Sequence, residues 1–392
     1  MHTKGDGYMA ENRAPHAAAV AFPVAATWFS ALFGPSLLSG AYAAAYFLPY
    51  GSYAVVLPFV AFSLICVFAA LGANIVRLNK AYDYAAFAHA LYGRAYRFLM
   101  PFLDYDILMA MCLGGASCIA TVSHIASTVF GINGVAAAIV FSLLALAVAV
   151  YGERAVRRFS SIMTVLMMCA FGIFVLLFLV IGKNELGAAL SNWAPAAGYT
   201  LPGGIKGAIL LGFSNFGMVG GALCAVEQNV TTAKECRYIG ILSFIMNSLL
   251  MAAGALMLLP YCPGILGEAT PAVAIMTSRV AQEFPFITWL YYLLMFMALI
   301  SSAVPQLHAV SSRINRMLED RHKKHGSGRR RTLYIGIVYF TVCILLSLLG
   351  LMTIVSKGYS FSAWLHLCVL AIPILLWYVR RGVNKRKAGE TV

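Results

Sequence analysis

Charge is the first thing this chain lacks. Asp, Glu, Lys and Arg make up 11% of its 392 residues, while apolar types make up 61%. A soluble domain needs far more charge to cover itself, so a globular protein in water is excluded. Acidic side chains are scarcer still, 14 against 28 basic ones, for a net charge of +14. In a soluble protein that excess would point to nucleic acid; in a membrane protein it reports basic loops on the cytoplasmic side. Metal-ligand spacing is missing as well. The nine cysteines form no CxxC pair and no His/Cys cluster, which argues against a zinc site and a disulfide framework. Cys66, Cys112, Cys118, Cys169, Cys224, Cys343 and Cys368 fall in apolar runs as small packing residues, and Cys262 in an outer loop. No nucleophile, base and orienting group can be assembled from the few polar residues within those runs, so no enzyme is expected.

What the chain has in abundance is long apolar sequence. Runs of about 18 or more residues, each enough to cross roughly 30 Å of hydrocarbon, recur near residues 22–47, 53–76, 101–130, 135–151, 159–182, 204–226, 238–261, 286–310, 332–355 and 361–379. Ala17-Ala18-Ala19 precedes the first run instead of following it, so that run reads as an uncleaved span and not a signal peptide. Residues 77–100 alternate basic and aromatic types and read as one or two amphipathic segments in the interface. Residues 271–282 have helical periodicity but are too short to cross, which suggests an interfacial or re-entrant helix.

Loop charge tests this threading. Basic residues on the side of the N-terminus outnumber those opposite by roughly 24 to 4, which places both termini in the cytoplasm of a plasma (inner) membrane protein. The clusters at 321–331 and 385–387 read as topology signals and contacts to anionic lipids, with no nucleic acid partner. The expected organisation is a cytoplasmic tail (1–21), a first half (22–182), an irregular extracellular loop (183–203), a second half (204–380) and a basic cytoplasmic tail (381–392). An odd number of spans per half inverts the second half. The fold class is therefore an all-α integral membrane protein of about ten transmembrane helices in a 5+5 inverted repeat.

Two of the runs break, each the first of its half. Phe33-Gly34-Pro35-Ser36-Leu37-Leu38-Ser39-Gly40 interrupts one and Gly212-Phe213-Ser214-Asn215-Phe216-Gly217 the other. Glycine loosens the backbone and proline removes a donor, and lipid cannot solvate what they free, so such a break must be buried in protein or line a cavity. Discontinuous helices at matching places in inverted halves point to a secondary transporter with its site between them. Gly34, Pro35, Ser36, Ser39, Gly40, Ser214, Asn215, Phe216 and Gly217 are the candidate solute-binding residues. Ser214 and Asn215 would orient a zwitterion by hydroxyl and amide, with Phe216 as an aromatic wall. Asp104 and Asp106 are the carboxylates within reach of the hydrocarbon; Asp104 reads as interfacial, and Asp106 is open between that and a proton or cation pathway. His366 and Asn247, mid-span, read as hydrogen-bonded packing residues that could alternatively face the cavity.

On these residues the sequence resembles the leucine-transporter (LeuT-like) fold of the amino acid-polyamine-organocation superfamily, and in detail is similar to the YkvI-type membrane proteins. The likeness runs from about Thr27 to Met317. Gly34-Pro35-Ser36-Leu37-Leu38-Ser39-Gly40-Ala41-Tyr42 follows that family's G-A-G-F-A-S-G-x-E pattern at the outer glycines and the serine, but departs at Pro35, Ser36 and Tyr42, where an acid is expected. Ser214-Asn215-Phe216, Asp106-Ile107-Leu108 and Gly114-Gly115 also look similar. The resemblance implies transport of a small, amino acid-like solute by alternating access between a four-helix bundle and a scaffold, with no cofactor beyond a coupling ion, Na⁺ or H⁺. It further implies a Na⁺-like site of the Ser301 and Ser302 hydroxyls with carbonyls near Phe33, Gly34, Ser36 and Leu37, chemistry that suits a hard cation. A helix-packing serine pair explains Ser301 and Ser302 equally well. A nutrient sensor or receptor subunit that keeps the fold without transport is the alternative function.

Overall fold

The computed structural model describes residues 13–32, 35–151, 153–216, 229–322 and 329–387, and those residues are helical almost throughout. In order, the helices are α1 (Arg13–Leu32), α2 (Pro35–Leu38), α3 (Ala41–Tyr46), α4 (Leu57–Asn79), α5 (Tyr84–Tyr92), α6 (Tyr96–Thr128), α7 (Gly134–Tyr151), α8 (Glu153–Ile181), α9 (Lys183–Ser191) and α10 (Leu201–Ser214). They continue with α11 (Ala233–Leu258), α12 (Pro271–Ile275), α13 (Ala281–Glu283), α14 (Pro285–His322), α15 (Arg329–Ser347), α16 (Leu351–Thr353), α17 (Tyr359–His366) and α18 (Ile372–Lys387). Among the described residues six helical stretches are long and apolar enough to cross a membrane, and a seventh is so if the pair Leu166–Ile181 and Lys183–Ser191, bent by 88°, is one span. Large apolar side chains such as Val67, Leu249, Leu293 and Val338 stand exposed on these helices, as a lipid solvent requires. The chain is a multi-pass membrane protein.

Packing divides the helices into two groups. α1 packs on α11, α11 on α4 and α4 on α10, while α6 packs on α7, α14 and α15. Small residues permit the closest approaches. Gly212 lies against the Ala61 carbonyl of α4, Gly240 against the Cys66 carbonyl, and Gly114 and Gly115 against Gln306 and Tyr339. The Gly114-Gly115 pair thus seats α6 on α14 and α15.

The first break keeps part of its helix. After Phe33 and Gly34, which lie outside the described residues, one turn of helix forms as α2, and the chain turns through Ser39 and Gly40 into α3. Gly40 sits at φ 81, where a side chain is strained, and a Cβ there would come within 2.7 Å of Leu258 and 2.8 Å of Pro271. Three of the freed carbonyls find donors. Gly40 N–H donates to the Leu37 carbonyl at 3.0 Å and Ala272 N–H to that of Ser39 at 3.0 Å, while the Tyr291 hydroxyl donates to that of Leu38 at 2.9 Å. Buried backbone groups need such partners, so α12 and Tyr291 hold the break in shape. Tyr291→Phe should cost about 1–3 kcal/mol by orphaning the Leu38 carbonyl. Thermal unfolding checks this, with Tyr292→Phe, whose exposed hydroxyl meets Thr277, expected to change little.

Several segments differ from the sequence reading. Helix α1 begins at Arg13, inside the expected tail of residues 1–21. Residues 271–282, expected as an interfacial or re-entrant helix, form a short helix followed by a π turn, with Pro271, Ala272, Val273 and Ile275 buried across the first break. Residues 77–100 hold one short helix, capped by the Asp83 carboxylate on Ala86 N–H and buried at Phe87, Ala88, Leu91 and Tyr92, after which α6 starts before Pro101. Residues 183–203 are not irregular throughout, because α9 occupies the first part. Ser52 explains how that helix ends. Its N–H donates to the Asn192 carbonyl at 2.8 Å and its hydroxyl lies 2.7 to 2.9 Å from the carbonyls of Ala189, Leu190 and Asn192, satisfying a helix terminus that would otherwise be bare.

The last span is widened twice by π turns, Ile354–Gly358 and Leu367–Ala371, on either side of α17. A π turn shifts the regular hydrogen bonds and leaves carbonyls open to side chains. Tyr46 donates to the Val355 carbonyl at 2.6 Å and Tyr92 to the Val369 carbonyl at 2.7 Å.

Candidate functional site

Helix α17 carries two polar side chains seven positions apart, Tyr359 and His366, which at 3.6 residues per turn share one face about 10 Å apart along the axis. That face meets α6, and each residue finds its counterpart there. Near the first break, Ser36 and Ser117 share a 2.9 Å hydrogen bond; the Tyr359 hydroxyl lies near both serines, and that of Tyr42 near Ser36 and Tyr359. The Tyr42 and Tyr359 rings lie 5.9 Å apart. Near the second break, His366 Nε2 lies 3.2 Å from Asp106 Oδ2, with both side chains fully buried, and His366 Nδ1 lies 2.9 Å from the Phe213 carbonyl oxygen. One short helix therefore touches both interruptions through one polar seam.

At the seam's far end the Asp104 carboxylate pairs with Arg313 of α14, whose guanidinium stacks over the Tyr84 ring at 5.0 Å. Asp104, expected as an interfacial residue on a wet first turn, is buried against protein, and a tertiary cation makes that burial tolerable.

The residues expected to bind solute are distributed as follows. Ser36, Ser39 and Gly40 are brought together, all buried; the Ser39 hydroxyl accepts from Ala41 N–H at 3.4 Å. Pro35 opens α2, while Phe33, Gly34 and Gly217 lie outside the described residues. Ser214 and Asn215 turn back on their own helix, the hydroxyl to the Leu211 carbonyl at 2.7 Å and the amide to the same carbonyl at 2.9 Å, so they cap the end of α10. Phe216 is fully buried in a triad with Phe68 and Phe213, with ring centroids 5.8 and 6.1 Å away. Ser301 and Ser302 are half-buried on α14, and the Ser301 hydroxyl donates to the Ala298 carbonyl at 2.9 Å. The Leu37 carbonyl already accepts from Gly40. Among the described residues no three His, Cys, Asp or Glu side chains come together as a metal ion would need.

Sequence reasoning missed Tyr359, Ser117 and Tyr291, and it favoured a packing role for His366. A signal existed for Tyr42 alone, as the residue in the acid's place. The structure supplies its reason, since a phenol can complete a neutral hydroxyl cluster where a carboxylate would need a cation.

No family model matches the chain, and no curated protein matches it in sequence. Solved structures are similar. The manganese transporter of Eremococcus coleocola in complex with an aromatic bis-isothiourea substituted compound is similar over 95% of this chain and 81% of that one, with a TM-score of 0.57 at 16% identity. A mutant of the same transporter gives 0.60 at 14% identity over the same shares. MhsT in complex with L-phenylalanine gives 0.53 at 14% identity, over 87% of each chain. These neighbours are LeuT-fold transporters, and the likeness shows that this chain has the leucine-transporter fold.

Proposed function

We propose that the chain is a secondary active transporter of a small, amino acid-like solute, working by alternating access with Na⁺ or H⁺ coupling. One observation carries the reading: both interrupted spans end on the same polar seam of α6 and α17, so a relative movement of the two helix groups would be felt at both breaks at once. Counting the broken first span, the bent pair and the shorter apolar helices Gly134–Val150 and Leu201–Ser214 alongside the six long stretches supports about ten crossings in inverted halves. In this reading α1 to α4, α10 and α11 form the moving bundle, α6, α7, α14 and α15 the scaffold, and both termini are cytoplasmic in the plasma membrane. The solute site lies between the breaks, where Ser36, Ser117, Tyr42 and Tyr359 offer hydroxyls without fixed charge. The amino acid-like solute rests on the resemblance to the amino acid-polyamine-organocation superfamily and its YkvI-type members.

Counterflow of labelled solute in proteoliposomes tests the reading. Saturable binding with no flux would sink it and leave a sensor or receptor subunit. The ion site of Ser301 and Ser302 with carbonyls of Phe33, Gly34, Ser36 and Leu37 is tested separately. A carbonyl has two lone pairs, so the Leu37 oxygen can still accept an ion beside Gly40 N–H. Ser301→Ala with Ser302→Ala should weaken Na⁺-dependent solute binding by about tenfold or more, since each hydroxyl ligand to a charge is worth roughly 1.5–3 kcal/mol. Unchanged binding across a Na⁺ titration removes the site.

A further inference from the structure

We propose that Asp106 and His366 together form a one-proton site whose occupancy controls the backbone at the second break. The proton count follows from the contacts alone. A carbonyl oxygen can only accept, so His366 Nδ1, at 2.9 Å from the Phe213 oxygen, carries a hydrogen. Nε2 is then left to face the Asp106 carboxyl at 3.2 Å. That contact is attractive only while one proton lies between the two atoms, on the ring nitrogen or on the oxygen. Either placement leaves the pair neutral overall. Remove the proton and a nitrogen lone pair faces a carboxylate inside a fully buried contact, which burial penalises strongly.

The surroundings do not relieve this. Helix α5 presents the Tyr84 and Tyr92 hydroxyls; that of Tyr92 is committed to the Val369 carbonyl, and that of Tyr84, buried beneath the Arg313 guanidinium, makes no hydrogen bond to Asp106. Arg313 of α14 is taken by Asp104, itself a second carboxylate on α6 and a like charge. Helix α10 presents the Phe213 carbonyl. Among the described residues, then, the imidazole is the partner that Asp106 has, and loss of the proton must drive them apart.

The parting has a structural consequence because of where Nδ1 is attached. The Phe213 oxygen accepts both His366 and Phe216 N–H, the latter at 3.0 Å, and so closes the last turn before the break. A ring that swings away from Asp106 gives up this carbonyl. Protonation thus holds the turn Phe213–Phe216 closed, and deprotonation releases it. Read with the proposed function, the coupling ion is H⁺; that step rests on the transport reading, whereas the site does not.

Hydrogen–deuterium exchange of the purified full-length protein in nanodiscs tests the site without a solute. Exchange across residues 211–216 is followed between about pH 5 and 9, each point normalised to a peptide from α4 to remove the intrinsic pH dependence. Normalised exchange should rise about tenfold as pH increases, the effect expected for one charge-assisted hydrogen bond. Asp106→Asn should stay protected and flat, since its amide donates to Nε2 and has no proton to lose in this range. His366→Gln should be flat too. A flat wild-type curve overturns the proposal whatever the variants do, as does an unshifted wild-type transition in Asp106→Asn. Should Asp106→Asn fail to fold, the wild-type and His366→Gln curves decide it. Solute counterflow keeps the two readings apart. Flux with flat exchange sinks the proton site and leaves the transporter; pH-linked exchange without flux leaves the proton site and sinks the transporter.

Discussion

Gly212→Ala should cost about 3 kcal/mol or more and leave little monodisperse protein. Overpacking a tight contact costs about 1–3 kcal/mol where side chains can give way, and more where they cannot. Here they cannot, because the added methyl would meet the carbonyl oxygen and carbon of Ala61, part of the α4 backbone. The only relief is to push α10 away from α4, and α10 leads directly into the second break. Gly207, on the same helix, is the control: a Cβ there would stand 3.6 Å from Tyr46, an ordinary contact, so Gly207→Ala should unfold like the wild type or slightly later. Size-exclusion traces and unfolding midpoints of the two variants decide it. Equal midpoints would mean that α4 and α10 are not this close.

His366→Leu should lower stability by roughly 3–5 kcal/mol, the usual result of removing one partner of a buried pair. The loss has two sources. Asp106 would be left buried without its imidazole, and the Phe213 carbonyl would lose its side-chain donor. Adding Asp106→Leu should recover most of the loss, since removing both charges avoids the stranded carboxylate. A double-mutant cycle on unfolding midpoints reads the coupling, expected at about 0.5–3 kcal/mol for residues in one network. Additive single effects would show that the two side chains act independently.

The architecture was legible where the signal is local. Gly34-Pro35 and Gly40 mark the first break by backbone chemistry that needs no partner, and scarce charge with segregated Lys and Arg marks the membrane. Helix α9 carries little local signal, because its nine residues share a short segment with the helix breakers Pro195 and Gly198. The site was much less legible. What closes the first break is Tyr291, 253 positions from Leu38, and what reaches the second is His366, 153 positions from Phe213. A hydroxyl or an imidazole in an apolar run looks the same whether it meets lipid, packing or a freed carbonyl. Only the fold distinguishes them. Ser214 and Asn215, expected to orient a solute, bond to their own helix end here, a use that no local pattern distinguishes from solute binding.

The two π turns beside α17 have a further consequence for how the last span can be read. Each turn holds one residue more than an α turn, so each offsets the angular phase of the helix by about 100°. Phase is therefore not conserved along Leu351–Gly382. A helical wheel drawn through the whole stretch superposes three differently rotated segments, and it blurs the stripe that Tyr359 and His366 share. The inserted residues act as a clutch: they let the middle of one rod face the protein's polar seam while both ends keep their own orientation.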